Sequence, residues 1–236
     1  MSRPRVVLIP GFTQTARSWA GAAGVVGETC DVRALDVPEP TTFVATAAAI
    51  GTAGGRAIYA GYSMGGRLCL RLAIDRPELV RGLVLVSASP GIADDRERAA
   101  RVEADEARAE SIERDGVEAF LSRWLAQPMF ATVPADAPGL SDRRRLTVAY
   151  LAASLRRLGA GAMEPMWNDL PTLTMPVLLV TGTLDDKYTT IARAMLERMH
   201  PGVEHVQLQG GHALPLEQPA VLAGLISAFA AEHGPA

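Results

Sequence analysis

Gly61-Tyr62-Ser63-Met64-Gly65 joins an apolar run, Ala57 to Ala60, to a segment of helical periodicity. A serine hydroxyl is a weak nucleophile or base until a positioned imidazole exchanges its proton, and the imidazole needs an acceptor to orient it. G-x-S-x-G between a strand and a helix suits that chemistry. Glycines two residues either side of the serine remove Cβ atoms that would collide in so sharp a turn, and Ser63 is left above the strand end. The positive end of the next helix then lies beside it, where amides stabilise oxyanion character. The plainer reading is a glycine-rich turn whose serine caps a helix.

After such an elbow the order is acid, then histidine. Asp185 follows the VLLVTG run in TGTLDDKY, and Asp186 is its neighbour and rival; the earlier position is the expected acid. His212 lies in QLQGGHALPLEQP, a Gly-Gly-His-Ala loop that offers an imidazole little apolar surrounding. His200 and His205 fall near a helix end and in a strand and are weaker choices. In LIPGFTQTARSW, Gly11 permits close backbone approach, so the amides of Phe12 and Met64 are the expected oxyanion donors. That loop lacks a Walker lysine and the G-x-G-x-x-G fingerprint, and no zinc motif is present, so no cofactor and no metal are expected.

These residues need a frame. Short aliphatic runs at Val6 to Ile9, Ala57 to Ala60, Leu83 to Val86 and Val177 to Val180, with a weaker one at His205 to Leu208, read as strands covered on both faces. Leu68, Leu72 and Ala73, then Ile191, Met195 and Met199, then Leu222, Leu225, Ile226 and Phe229, form helical stripes between and after them. The expected class is α/β, a mostly parallel sheet flanked by helices. From Gly91 to about Gly161 the alternation stops: a highly charged segment, an amphipathic piece with Phe120, Leu121, Trp124 and Leu125, a Pro/Ala/Asp-rich linker and RRRLTVAYLAASLRRLG follow one another. About 70 residues exceed any routine crossover, so residues 91–161 are expected to be a helical cap inserted into a core of residues 1–90 and 162–236. The alternative is a set of solvated surface helices.

Lys and Arg number 23 against 26 Asp and Glu, a formal charge of −3 that leaves no global basic field for nucleic acid. The first apolar stretch, Val6 to Ile9, ends after four positions at Pro10, and no run approaches about 18 apolar residues, so neither export nor a membrane span is expected. Cys30 and Cys69 have no redox or ligand spacing and fit a reducing cytoplasm.

PGF, GYSMGGRL, TGTLDDKY and GGHALPLEQP resemble the α/β-hydrolase superfamily over essentially the whole chain. Within it, GYSMGGR, SASPGIADDRERAAR, FLSRWLAQPMFA and LAASLRRLGAGAMEPMW resemble the 2-succinyl-6-hydroxy-2,4-cyclohexadiene-1-carboxylate synthases, which eliminate pyruvate by abstracting a proton from carbon. The resemblance implies an α/β-hydrolase fold, a relay of Ser63, Asp185 and His212, and a small polycarboxylate substrate. It also implies substrate contacts from Tyr62, Arg67, Arg101, Trp124, Gln127, Phe130 and Lys187, and from Arg143, with Arg145 its rival, at the start of the third cap helix. The chain departs from the pattern in three places: Pro10 stands where histidine is common, RRLTVAY replaces an asparagine-rich patch, and Leu125 follows Trp124 where a tyrosine is common.

The lyase reading therefore has two rivals: a serine carboxylesterase or lactonase with an open apolar acyl pocket, and a noncatalytic ligand-binding protein on the same scaffold. A dehalogenase would place aspartate at the elbow. The chain is expected to work as a monomer or small homo-oligomer without nucleic acid or membrane.

Overall fold

The computed structural model describes residues 3–234. Six strands form one sheet: β1 (Arg5–Ile9), β2 (Asp31–Ala34), β3 (Ala57–Tyr62), β4 (Val80–Val86), β5 (Val177–Gly182) and β6 (Glu204–Leu208). Their order is β2-β1-β3-β4-β5-β6 and every neighbouring pair is parallel, so the sheet is wholly rather than mostly parallel.

Period-two alternation sends Val6, Leu8, Ile58, Ala60, Val84, Val86, Leu178 and Val180 to one face, under α1 (Ala20–Val26) and the C-terminal helix. Val7, Ile9, Tyr59, Leu83, Leu85 and Leu179 face the other side, under α2 (Phe43–Gly54) and α3 (Met64–Asp75). Both faces are thus dry, which explains strands that read as unbroken apolar runs. The remaining helices are α4 (Asp95–Leu125), α5 (Val148–Leu158), α6 (Asp186–Leu196), a short α7 (Leu214–Glu217) and α8 (Pro219–His233). Among the described residues no helix is long and apolar enough to cross a membrane.

The chain leaves β1 for β2 on one side and then returns to lay β3 on the other. That reversal opens a crevice at the carboxyl ends of β1 and β3, where open parallel sheets collect their ligands. Phe12 follows β1 and Ser63 follows β3, so topology alone brings the two loops together.

Among the elements that escaped the sequence reading are β2 and α2. β2 is a four-residue edge strand, DVRA, with no fully buried position and so no apolar run. α2 is rich in alanine and glycine and buries Phe43, Ala47 and Ile50 without a conspicuous stripe. The charged segment is one element of 31 residues, broken at Gly116, whose φ of 82° and ψ of 171° are not helical. Asp94 caps its start by accepting from the Glu97 amide. The helix expected from RRRLTVAY begins only at Val148, with Thr147 accepting from the Tyr150 amide, because Ser141–Arg145 winds as a separate 3-10 turn. Between β4 and β5, α4 and α5 pack through Ala109, Ile112, Phe120, Leu121, Leu151, Ala152 and Leu155.

Candidate active site

β3 runs into a residue with unfavourable backbone geometry. Ser63 has φ 50° and ψ −110°, a positive-φ conformation that costs a non-glycine residue about 1–3 kcal/mol. The elbow is tight enough that a Cβ on Gly65 would lie within 2.5 Å of the Ile9 and Pro10 carbonyl oxygens, in van der Waals overlap. The turn thus lies directly against the end of β1. It aims the Ser63 hydroxyl at His212 Nε2, 3.2 Å away, while Nδ1 of the same ring is 2.8 Å from Asp185 Oδ2.

Asp185 sits between β5 and α6, at the carboxyl end of its strand, and it rather than the exposed Asp186 meets the imidazole. His200 and His205 lie elsewhere: His205 is 2.8 Å from Thr181 Oγ1 on the neighbouring strand, and burial pulls its pKa down. His212 is 2% exposed. The expectation of little apolar surrounding needs correction, since Tyr188, Tyr62 and Phe130 stand around the imidazole at centroid distances of 4.5, 5.4 and 6.3 Å. Its own loop is small and flexible in composition; the aromatic walls come from distant elements.

Glu217 holds that loop. Its carboxylate accepts from the amides of Gly211 and Ala213, at 2.6 and 2.8 Å, on either side of His212, and from the Thr132 hydroxyl at 2.6 Å. The histidine is therefore fixed on one side by Asp185 and through its backbone by Glu217. Among the described residues, the amides of Phe12 and Met64 donate to no backbone or side-chain oxygen outside a helix. Met64 opens α3, where the first amides have no intrahelical acceptor. A Cβ on Gly11 would strike the Tyr62 ring at 2.7 Å, so the Phe12 amide is brought in by a residue that only glycine can be.

A cavity of about 330 Å³ lies over Ser63 and His212. Its wall includes Phe12, Tyr62, Met64, Arg67, Arg101, Trp124, Gln127, Phe130, Asp185 and Lys187, all anticipated from the sequence, and Arg108, Met129, Ser154 and Tyr188, which were not. Arg67 donates to the Leu158 carbonyl at 2.9 Å, and burial pulls its guanidinium down to about 10, so it stays charged at neutral pH. Burial also holds the Tyr62 and Tyr188 phenols above their ordinary value, so both remain protonated donors. Gln127 donates to the Trp124 carbonyl, and the Trp124 indole N–H is buried without a partner among the described residues.

Arg143 is the exception among the anticipated contacts. It does not line the cavity: it is 1% exposed and its Nη1 donates to Thr13 Oγ1 at 2.7 Å, with Nε and Nη2 unpartnered among the described residues. The 3-10 turn, absent from a helical reading, rotates it into the protein beneath the loop after β1. Arg145, its rival, is 82% exposed and pairs with Asp142. The positions of Tyr188 and Arg108 carried a signal that spacing alone can supply, since Tyr188 stands three residues after Asp185 and Arg108 seven after Arg101, each on one helical face.

A serine, imidazole and carboxylate in hydrogen-bonded series can accept a proton from carbon or deliver a serine oxygen to a carbonyl. A family model described as the alpha/beta hydrolase family matches residues 6–225, and the chain belongs to that family. A putative 2-succinyl-6-hydroxy-2,4-cyclohexadiene-1-carboxylate synthase of Bacillus subtilis (strain 168) is 34% identical over 174 residues, covering 72% of this chain and 64% of that protein. The enzyme of that name from Enterobacter sp. (strain 638) is 30% identical over 169 residues, covering 71% and 64%. The chain thus spans about 64% of the length of these relatives. The solved structure of MenH from S. aureus superposes with a TM-score of 0.90 at 24% identity, covering 99% of this chain and 95% of that one. It shares the fold.

Proposed function

We propose that the chain is a carbon-oxygen lyase that converts 2-succinyl-5-enolpyruvyl-6-hydroxy-3-cyclohexene-1-carboxylate to 2-succinyl-6-hydroxy-2,4-cyclohexadiene-1-carboxylate and pyruvate, acting in the cytoplasm. The observation that carries this reading is the cavity wall. Arg67, Arg101, Arg108 and Lys187 surround a space entered by Ser63, in a protein whose net charge is −3. A substrate with three carboxylates needs such cations, and a neutral ester does not. The names of the relatives point the same way.

In this reading His212 takes the Ser63 proton as the serine oxygen removes the acidic hydrogen beside the succinyl carbonyl. The carbon–hydrogen electrons pass to the carbonyl oxygen, where the Phe12 and Met64 amides receive the charge. They return through the ring to break the carbon–oxygen bond of the enolpyruvyl group, and the imidazolium proton goes to the departing enolate, which becomes pyruvate. Asp185 keeps the imidazole in the tautomer that faces Ser63 and stabilises its charged form. No bond from Ser63 to the substrate forms.

The same Ser63–His212 approach and the same free amides also suit attack on an ester carbonyl, which keeps a carboxylesterase as the second reading. The test is to supply the enolpyruvyl substrate and follow pyruvate. The expected outcome is steady release that falls about 10³-fold or more in Ser63→Ala. Equal rates from the two proteins, or cleavage of short aryl esters with no pyruvate formed, would refute the lyase reading.

A further inference from the structure

α4 carries many charged residues, and nearly all face solvent; among the described residues Asp105 is its one buried carboxylate, with a side chain 5% exposed. It lies against the C-terminal end of α5, so close that a Cβ on Gly159 would stand 2.5 Å from its Oδ2. A carboxylate beside the negative end of a helix and away from water is unfavourable unless cations compensate it. Two do. Arg101 Nε donates to Oδ2 at 2.8 Å and Arg108 Nη1 donates to Oδ1 at 2.9 Å, from one turn before and one turn after. Both arginines line the cavity over Ser63.

The arrangement leaves a net positive charge at the wall. Each guanidinium has five N–H donors, and Asp105 engages one nitrogen of each, so the remaining donors of both forks are available to a further anion. The exposed ion pairs elsewhere on α4, such as Arg114 with Asp115, show what an ordinary surface pair looks like here: the arginine is 68% exposed and lines no part of this cavity. Arg101 and Arg108 are instead 33% and 40% exposed and share a buried anchor.

We infer that Arg108 is a specificity-determining contact for a substrate carboxylate, paired with Arg101, and that Asp105 is the positioning residue that holds the two forks side by side. The inference rests on the reading of the cavity as a polycarboxylate site. Removing one arm of a charge-assisted pair should weaken substrate capture while leaving the relay at Ser63 intact, because neither Arg108 nor Asp105 touches Ser63, Asp185 or His212.

The experiment is steady-state pyruvate release from the enolpyruvyl tricarboxylate by the wild-type chain, Arg108→Gln and Asp105→Asn. Arg108→Gln should raise KM about tenfold or more with kcat changed less than about threefold. Asp105→Asn should raise KM as well, by freeing both guanidinium groups; Arg108→Gln decides the matter if the asparagine variant fails to fold. A KM for Arg108→Gln within about twofold of wild type, or a loss confined to kcat, would overturn the inference. If the wild-type chain releases no pyruvate but cleaves aryl esters, the lyase reading fails by itself. The fork is then tested by comparing an ester bearing a carboxylate with its neutral counterpart: Arg108→Gln should raise KM for the charged ester alone, and an equal change for both would overturn it.

Discussion

At the residue scale the relay depends on tautomer and distance. Asp185 has one geometric task in this site, to accept from His212 Nδ1 so that Nε2 faces the Ser63 oxygen 3.2 Å away. Asp185→Asn reverses that preference and should lower turnover by about 10⁴-fold with little change in KM, as read from initial rates; a loss below tenfold would show that the ring is oriented by its aromatic neighbours instead. Ser63, Asp185 and His212 could be found without coordinates because each sits just past the end of an apolar run, where turn chemistry is local. Arg143 could not be placed in the same way. Its direction depends on whether Ser141–Arg145 is α-helical or 3-10, a difference that three successive arginines do not encode.

Elements decide how firmly those residues are held. The loop carrying His212 is braced by Glu217, whose carboxylate also accepts from Thr132 in the segment between α4 and α5, so one side chain ties the histidine to that region. Glu217→Gln should lower kcat by about tenfold or more while KM stays near wild type, and Thr132→Val should have a smaller effect in the same direction. A fall in stability without any kcat change would confine Glu217 to packing. The pairing of α4 with α5 has its own pH dependence. Arg156 binds Glu106 and Glu113, and these hydrogen bonds hold both carboxyl groups below the usual value of 4.5. A depressed carboxylate pKa stabilises the folded form above the unfolded value and loses that contribution as pH falls through the folded one. Hydrogen-exchange protection in α4 and α5, taken relative to the intrinsic exchange rate at each pH, should therefore fall below about pH 4.5, and Arg156→Gln should abolish the step. Leu151→Ala, at a position with no exposure, should cost about 2–5 kcal/mol in thermal or denaturant unfolding. α4 and α5 announced themselves by charge and stripe, whereas β2 did not, because an edge strand with one wet face has no need of an apolar run.

Over the whole molecule, a parallel sheet with a strand-order reversal sets the crevice, and the segment between β4 and β5 covers it with cations. Phe12 belongs to both parts: it follows β1, and its ring packs edge-on against Trp124 at 5.2 Å and Phe120 at 6.2 Å. The loop after β1 is thereby packed against the same helix, α4, that supplies Arg101 and Arg108. The fold class and the order of the relay were legible because both rest on strand ends and loop residues. The closing of the cavity was not, because it depends on which faces of α4, α5 and α6 turn inward. The most direct check on the account is to follow pyruvate and the conjugated cyclohexadiene together in one reaction of the wild-type chain with the enolpyruvyl substrate. One pyruvate should form for each diene from the first turnover, with the mass of the chain unmodified throughout. Diene and pyruvate appearing out of step, or an acyl group found on Ser63 during turnover, would contradict it.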